Sequence, residues 1–171
     1  MDIRFAILTI SDRSSRGERA DTSGPALARV VAEHGWQVVL QAVVPDELDE
    51  IRVILSAWAD QNEAGTGPVD VILTTGGTGF SPRDLTPEAT QAVVERPAPG
   101  LAEAMRAASL QVTPHAMLSR AIAGIRRHTL IVNLPGSPKG AVENLEVILP
   151  VLPHAVLMIR EDPGYEAGHQ I

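Results

Sequence analysis

The chain contains no cysteine, a single lysine and few aromatic residues among its 171 positions. Without cysteine there are no disulfides, no zinc–thiolate sites, no iron–sulfur clusters and no cysteine nucleophile. That composition fits a reducing compartment. The aromatic set is two Phe, two Trp and one Tyr (Phe5, Phe80, Trp36, Trp58 and Tyr165), too few for a base-stacking platform. Positive charge is scarce as well. Fourteen Lys and Arg face 21 Asp and Glu, a formal net charge of −7. A protein that grips a nucleic-acid backbone by counterion release needs the opposite balance, so no nucleic-acid partner is expected. No basic segment precedes an apolar one at the N-terminus, so no targeting signal is read there. The most apolar stretch, Val147–Ile159, is shorter than the roughly 20 residues that span a bilayer. Pro150 and Pro153 also interrupt it. The expectation is a cytoplasmic protein with no membrane role.

What is present describes a soluble globular domain: 44% hydrophobic and 20% charged residues. A chain of this length buries about 70% of its unfolded surface and needs no covalent staples. One α/β domain is expected over residues 1–160, with a polar tail at 161–171.

Strand and helix signals alternate along the chain. Arg4–Ile10 reads as a buried strand, followed by a turn at Ser11–Gly17. Asp21, Thr22 and Ser23 form an N-cap cluster ahead of Gly24-Pro25, opening a helix that Gly35 closes. Trp36–Val44 is a second strand, and Pro45-Asp46 opens a helix carrying Leu48, Ile51, Ile54, Leu55 and Trp58 at helical spacing. After the polar Gln61–Pro68 comes a third strand, Val69–Leu73, nearly all apolar, as expected when both faces are buried. Thr86-Pro87-Glu88 begins another helix, with proline and acid in its first turn. Leu101–Leu110 is a helix, Ile122–Arg127 and Thr129–Leu134 are strands, and Ala141–Leu149 and Val151–Ile159 are helices. The alternation predicts a single three-layer α/β domain, its mostly parallel sheet covered by helices on both faces.

In such sheets ligands bind beyond the carboxyl ends of the strands. Four loops therefore carry the candidate chemistry. Thr74–Asp84 (TTGGTGFSPRD) is glycine-rich: Thr75, Gly76, Gly77, Thr78 and Gly79 can form a backbone nest for anions, with the threonine hydroxyls as further donors. It is neither a Walker A nor a GxGxxG sequence. Arg83 suits a phosphate, which guanidinium binds bidentately. Asp84 beside such a nest suggests Mg²⁺, commonly held by one or two carboxylates plus substrate phosphates; capping of the Thr86 helix is the alternative. Asp46, with Glu47, ends the second strand. If the second and third strands lie close, Asp46 and Asp84 flank one metal–phosphate site; otherwise Asp46 is a helix cap. Ser11 and Asp12 follow the first strand. Asn133, Pro135, Gly136, Ser137 and Lys139 occupy the stiff loop after the last strand, where Ser137 and Lys139 can contact an anion. The five histidines show no metal-binding spacing and are expected at the surface or at helix ends. No GxSxG elbow is present, which disfavours a serine hydrolase.

Taken together, SDRSSRG…DTSGP (Ser11–Pro25), PDE (Pro45–Glu47), TTGGTGFSPRDLTPEA (Thr74–Ala89), TPHAMLSRAIAGIR (Thr113–Arg126) and NLPGSPKGAVENL (Asn133–Leu145) resemble the MogA/MoaB family. That family binds molybdopterin and includes the gephyrin G domain and its plant counterpart. The resemblance runs from about Ile3 to Arg160. It implies the three-layer α/β fold, a homotrimer, and a place in molybdenum cofactor biosynthesis. It further implies adenylylation of molybdopterin by Mg-ATP, with pyrophosphate released. A non-catalytic carrier that only binds the pterin is the alternative. The two carboxylates such enzymes need match Asp46 and Asp84, as Mg²⁺ ligands, and Ser119 and Arg120 fall in the family's ligand-pocket region. A molybdenum insertase is the implied partner.

Overall fold

A computed structural model describes residues 1–62 and 67–161. Residues 63–66 of the Gln61–Pro68 loop, and the tail from 162 onward, lie outside the described residues.

Among the described residues, six strands form one mixed sheet in the order β2-β1-β3-β6-β5-β4. β1 (Arg4–Ile10), β2 (Gln37–Val44), β3 (Val71–Thr75) and β6 (Thr129–Leu134) run parallel. β5 (Ala123–Arg126) is antiparallel to β6, and β4 (Arg96–Pro97) to β5. Side-chain alternation along β1 builds the layers. Phe5 and Ile7 face a core shared with α2 (Ser23–Glu33), α5 (Pro99–Leu110), α6 (Pro138–Ile148) and α7 (Leu152–Ile159). Ala6, Leu8 and Ile10 face a second core under α3 (Leu48–Asp60) and α4 (Thr86–Gln91). Every residue of β3 and β6 is buried, and all but Thr74, Thr75, Thr129 and Asn133 are apolar, as expected of strands covered on both faces.

Local details depart from the sequence reading. Ser11–Gly17 is not a plain turn: Asp12–Ser15 forms the short helix α1, capped by the Ser11 hydroxyl, which accepts from the Ser14 N–H. Pro114–Leu118 makes a 3₁₀ turn capped by Thr113. The two-residue β4 carries no periodicity and was legible only as a break. The apolar C-terminal stretch is not interrupted by its prolines. Pro138–Ile159 runs on for 22 residues through α6, a 3₁₀ turn and α7, long and apolar enough to cross a membrane by length and composition. Pro150 and Pro153 fall in the first turns of the 3₁₀ segment and of α7, where a missing N–H costs nothing. Here Leu145, Ile148, Leu152 and Val156 from this stretch pack into the core beneath the sheet.

β1 lies between β2 and β3, so β2 and β3 are not neighbours. The chain crosses to β2 on one side of β1 and to β3 on the other. That reversal is the switch point where open α/β sheets place their ligands.

Candidate active site

The glycine-rich loop sits directly over the end of β1. Gly76 has φ +106° and Gly77 +63°, in the left-handed region that favours glycine. A Cβ on Gly76 would lie 2.2 Å from the Ile10 carbonyl oxygen, and one on Gly77 3.0 Å from Asp46 Oδ1. The loop is pinned by Thr86, whose hydroxyl donates to the Gly76 carbonyl at 2.8 Å and whose N–H donates to Gly77. Among the described residues the N–H groups of Gly77, Thr78 and Gly79 donate to no protein acceptor, which leaves them available to an anion. The hydroxyls behave differently from expectation. Thr75 donates to the Pro135 carbonyl, and Thr74 accepts from Asn133, so both are spent inside the protein.

Asp46 and Asp84 do come together, although not because their strands adjoin. The loops after β2 and β3 both lean over β1, and both aspartates line one cavity of about 620 Å³. Thr9, Asp21, Gly76, Gly77 and Gly136 line it too. Neither aspartate caps the helix that follows it. Asp46 Oδ2 accepts from the Asp12 N–H at 2.8 Å, and Asp84 Oδ2 from the Ser81 N–H at 2.8 Å. The helices that follow them have no side-chain cap. Burial, reinforced by the nearby charges of Asp12 and Asp84, pushes the Asp46 carboxyl above the usual aspartate range. A partly buried carboxylate with acidic neighbours gains from a cation. Among the described residues no three His, Cys, Asp or Glu converge as a closed cage. Two carboxylates beside a nest of free N–H groups therefore fit Mg²⁺ bound jointly with substrate phosphates.

The other predicted residues divide. Ser11, Gly136 and Ser137 line the acidic cavity. Thr78, Gly79, Ser119, Pro135 and again Ser137 line a second cavity of about 320 Å³. Arg120 ties the loop from beneath: it donates to the Gly79 and Asp84 carbonyls and pairs with Glu88, whose carboxyl it holds below the usual glutamate range. Asn133 is fully buried and bridges Thr74, Thr90 and the Ile122 N–H, inside the sheet and away from both cavities. Lys139 is exposed and pairs with Glu143 on the next turn of α6. Arg83 does not line either cavity; Asp12 and Glu47 hold its guanidinium.

The chain matches the family model described as a probable molybdopterin binding domain over residues 6–154. It belongs to that family. A molybdopterin adenylyltransferase of Helicobacter pylori is 42% identical over 159 residues, covering 92% of this chain and 88% of that protein. Gephyrin of Dictyostelium discoideum is 44% identical, with 92% of this chain and 22% of the gephyrin covered. The molybdenum cofactor synthesis protein cinnamon of Drosophila melanogaster is 45% identical, with 26% of it covered. The chain thus spans only about a quarter or less of those two relatives. The crystal structure of the molybdopterin biosynthesis enzyme MoaB from Thermus thermophilus superposes with a TM-score of 0.85 at 51% identity, covering 94% of this chain and 98% of that one.

Several residues of this molybdopterin-binding domain escaped the sequence reading. Asp21 lines the acidic cavity while capping α2 through the Ser23 and Gly24 N–H groups and accepting from the Thr9 hydroxyl. Its place in the N-cap cluster was legible, its second role was not. Arg106, Ser109 and Asn144 line the second cavity from α5 and α6. On the sequence they are ordinary polar positions of amphipathic helices. His115 is exposed as expected, yet it lines the same cavity.

Proposed function

We propose that this chain is a molybdopterin adenylyltransferase, joining the adenylyl group of ATP to the terminal phosphate of molybdopterin and releasing pyrophosphate. The observation that carries this reading is the pair of aspartates. The two carboxylates that the MogA/MoaB resemblance selects line a single cavity, and neither caps the helix that follows it. Asp46 and Asp84 would hold Mg²⁺, with phosphate oxygens completing its shell. When bound, Mg²⁺ neutralises charge that builds on the pyrophosphate leaving group. The free N–H groups of Gly77 to Gly79 bind phosphate oxygens. The second, partly apolar cavity takes the pterin, and Ser137, which lines both, marks their common wall. The attacking group is a phosphate already ionised, so no general base is needed; alignment of the two phosphates is the chain's main task. The protein is net acidic and both substrates are anionic, so binding depends on these local donors and the metal. The remaining parts of the proposal come from the resemblance: a homotrimer, working in the cytoplasm and passing its product to a molybdenum insertase.

Incubation with molybdopterin and Mg-ATP, followed by mass spectrometry, tests the reading. Adenylylated pterin that disappears in Asp84→Asn is the expected result. Pterin bound but never adenylylated would leave a carrier instead.

A further inference from the structure

Three strand-end loops meet at one guanidinium. Arg83 Nε and Nη2 donate to Asp12 Oδ2 and Oδ1 at 3.0 and 2.8 Å. Its Nη1 lies 2.9 Å from Glu47 Oε1. Asp12 in turn is bonded to Asp46 in both directions. The Asp12 N–H donates to Asp46 Oδ2 at 2.8 Å, and the Asp46 N–H donates to Asp12 Oδ1 at 3.1 Å. Arg83 immediately precedes Asp84. The guanidinium therefore couples the backbone that carries one candidate metal ligand to the carboxylate and backbone of the other.

Arg83 is also poorly placed for phosphate. It does not line the acidic cavity, and two carboxylates already engage the three nitrogens of its fork. The basic side chain on that cavity wall is Arg19, for which no ion pair exists among the described residues. Without a brace, Asp12, Asp46 and Asp84 would repel one another, and the loop after β3 could drift from the loop after β2. A bidentate Arg–carboxylate pair fixes distance and orientation together, which a lysine point charge does not.

We infer that Arg83 is a positioning residue: with Asp12 and Glu47 it forms a clasp that sets the spacing of Asp46 and Asp84 for the metal, and it makes no contact with phosphate. This rests on the reading of those aspartates as Mg²⁺ ligands. Arg83 and Glu47 are each about half exposed (51% and 51%), so the clasp adds little to global stability and its effect falls on the site.

The test uses Mn²⁺ as the probe, with α,β-methylene ATP, and reads bound metal by electron paramagnetic resonance. The variants are Arg83→Gln, Asp12→Asn, the double variant, Arg83→Lys and Asp46→Asn; unfolding midpoints are recorded for each. The clasp predicts about tenfold weaker Mn²⁺ in Arg83→Gln and in Asp12→Asn, as for other groups that orient metal ligands. The double variant is no weaker than the worse single one, Arg83→Lys fails to restore affinity, and midpoints shift by only a few degrees. Additive losses in the double variant, or an unaffected Arg83→Gln, would overturn the clasp and leave the adenylyltransferase reading standing. Wild-type protein that takes up no Mn²⁺ with the nucleotide, or an Asp46→Asn variant that binds as well as wild type, would overturn the metal site, and the clasp falls with it.

Discussion

Two cavities sit side by side beyond the carboxyl ends of the strands, and they are built on different principles. The larger, about 620 Å³, concentrates charge: Asp21, Asp46 and Asp84 line it, with Arg19 at its wall. The smaller, about 320 Å³, mixes Val112, Ala116, Leu118 and Pro135 with Ser109, Ser119 and Asn144, and has one Arg and one Glu, Arg106 and Glu143, on its helical wall. One glycine-rich loop serves both. Gly76 and Gly77 face the acidic side, and Thr78 and Gly79 the other. A metal–phosphate site needs charge and bare backbone, whereas a flat heterocycle needs apolar walls with a few polar contacts. On the proposed function, the difference lets one loop hold two unlike substrates with their reacting ends adjacent.

The sharpest way to break the comparison is to damage one cavity and watch the other. Asp84→Asn should lower turnover about a thousandfold, the scale of losing metal-held transition-state charge. Pterin binding, measured by fluorescence, should stay intact; its loss would mean the cavities are not separate. Gly76→Ala attacks the loop that serves both. Its Cβ would collide with the Ile10 carbonyl, at a backbone angle that disfavours side chains. A loss of at least about 2 kcal/mol in chemical denaturation is expected, with both ligands affected. Ser119→Ala is the reciprocal of the aspartate change. It should weaken pterin binding by about tenfold, one lost hydrogen bond, and leave binding of an Mg-ATP analogue unchanged in calorimetry.

The smallest effect concerns pH. The Asp46 carboxyl is raised in the folded protein, so ionising it opposes folding above the ordinary aspartate range and has no effect once it is protonated in both states. An amide oxygen at this position can still accept from the Asp12 N–H. Asp46→Asn should therefore lose turnover yet melt higher than wild type at neutral pH, with the gain vanishing on acidification. Melting curves across that pH range check it; a variant that melts lower at neutral pH would show that the carboxylate is already stabilised by a partner.

Much of this was legible in the chain itself. β1 and β6 carry the predicted bounds, Arg4–Ile10 and Thr129–Leu134, because a strand buried on both faces leaves an apolar run between polar turns. The helices after Ser23, Leu48 and Thr86 announced themselves by periodicity, caps and proline. Two side chains take partners that their place in the chain did not suggest, for one cause. Arg83 and Asn133 were read by neighbourhood, one beside a glycine loop and one at a strand end. Arg83 instead turns outward to Asp12 and Glu47, and Asn133 inward to Thr74 and Thr90. Side-chain direction at a loop depends on partners far away in sequence, 71 positions for Arg83 with Asp12 and 59 for Asn133 with Thr74, and no local pattern encodes that.

The sequence by itself determined the α/β alternation, the four strand-end loops and the residue types they present. Those follow from burial periodicity and turn chemistry, which act over a few residues. Tertiary structure alone decided that β1 stands between β2 and β3, and that the loops nonetheless converge over its end. Strand order, and with it the meeting of Asp46 with Asp84, is fixed by long-range pairing and by which face each helix covers. The physical reason is that a single buried strand offers both of its edges equally; only packing of the whole chain selects the neighbour.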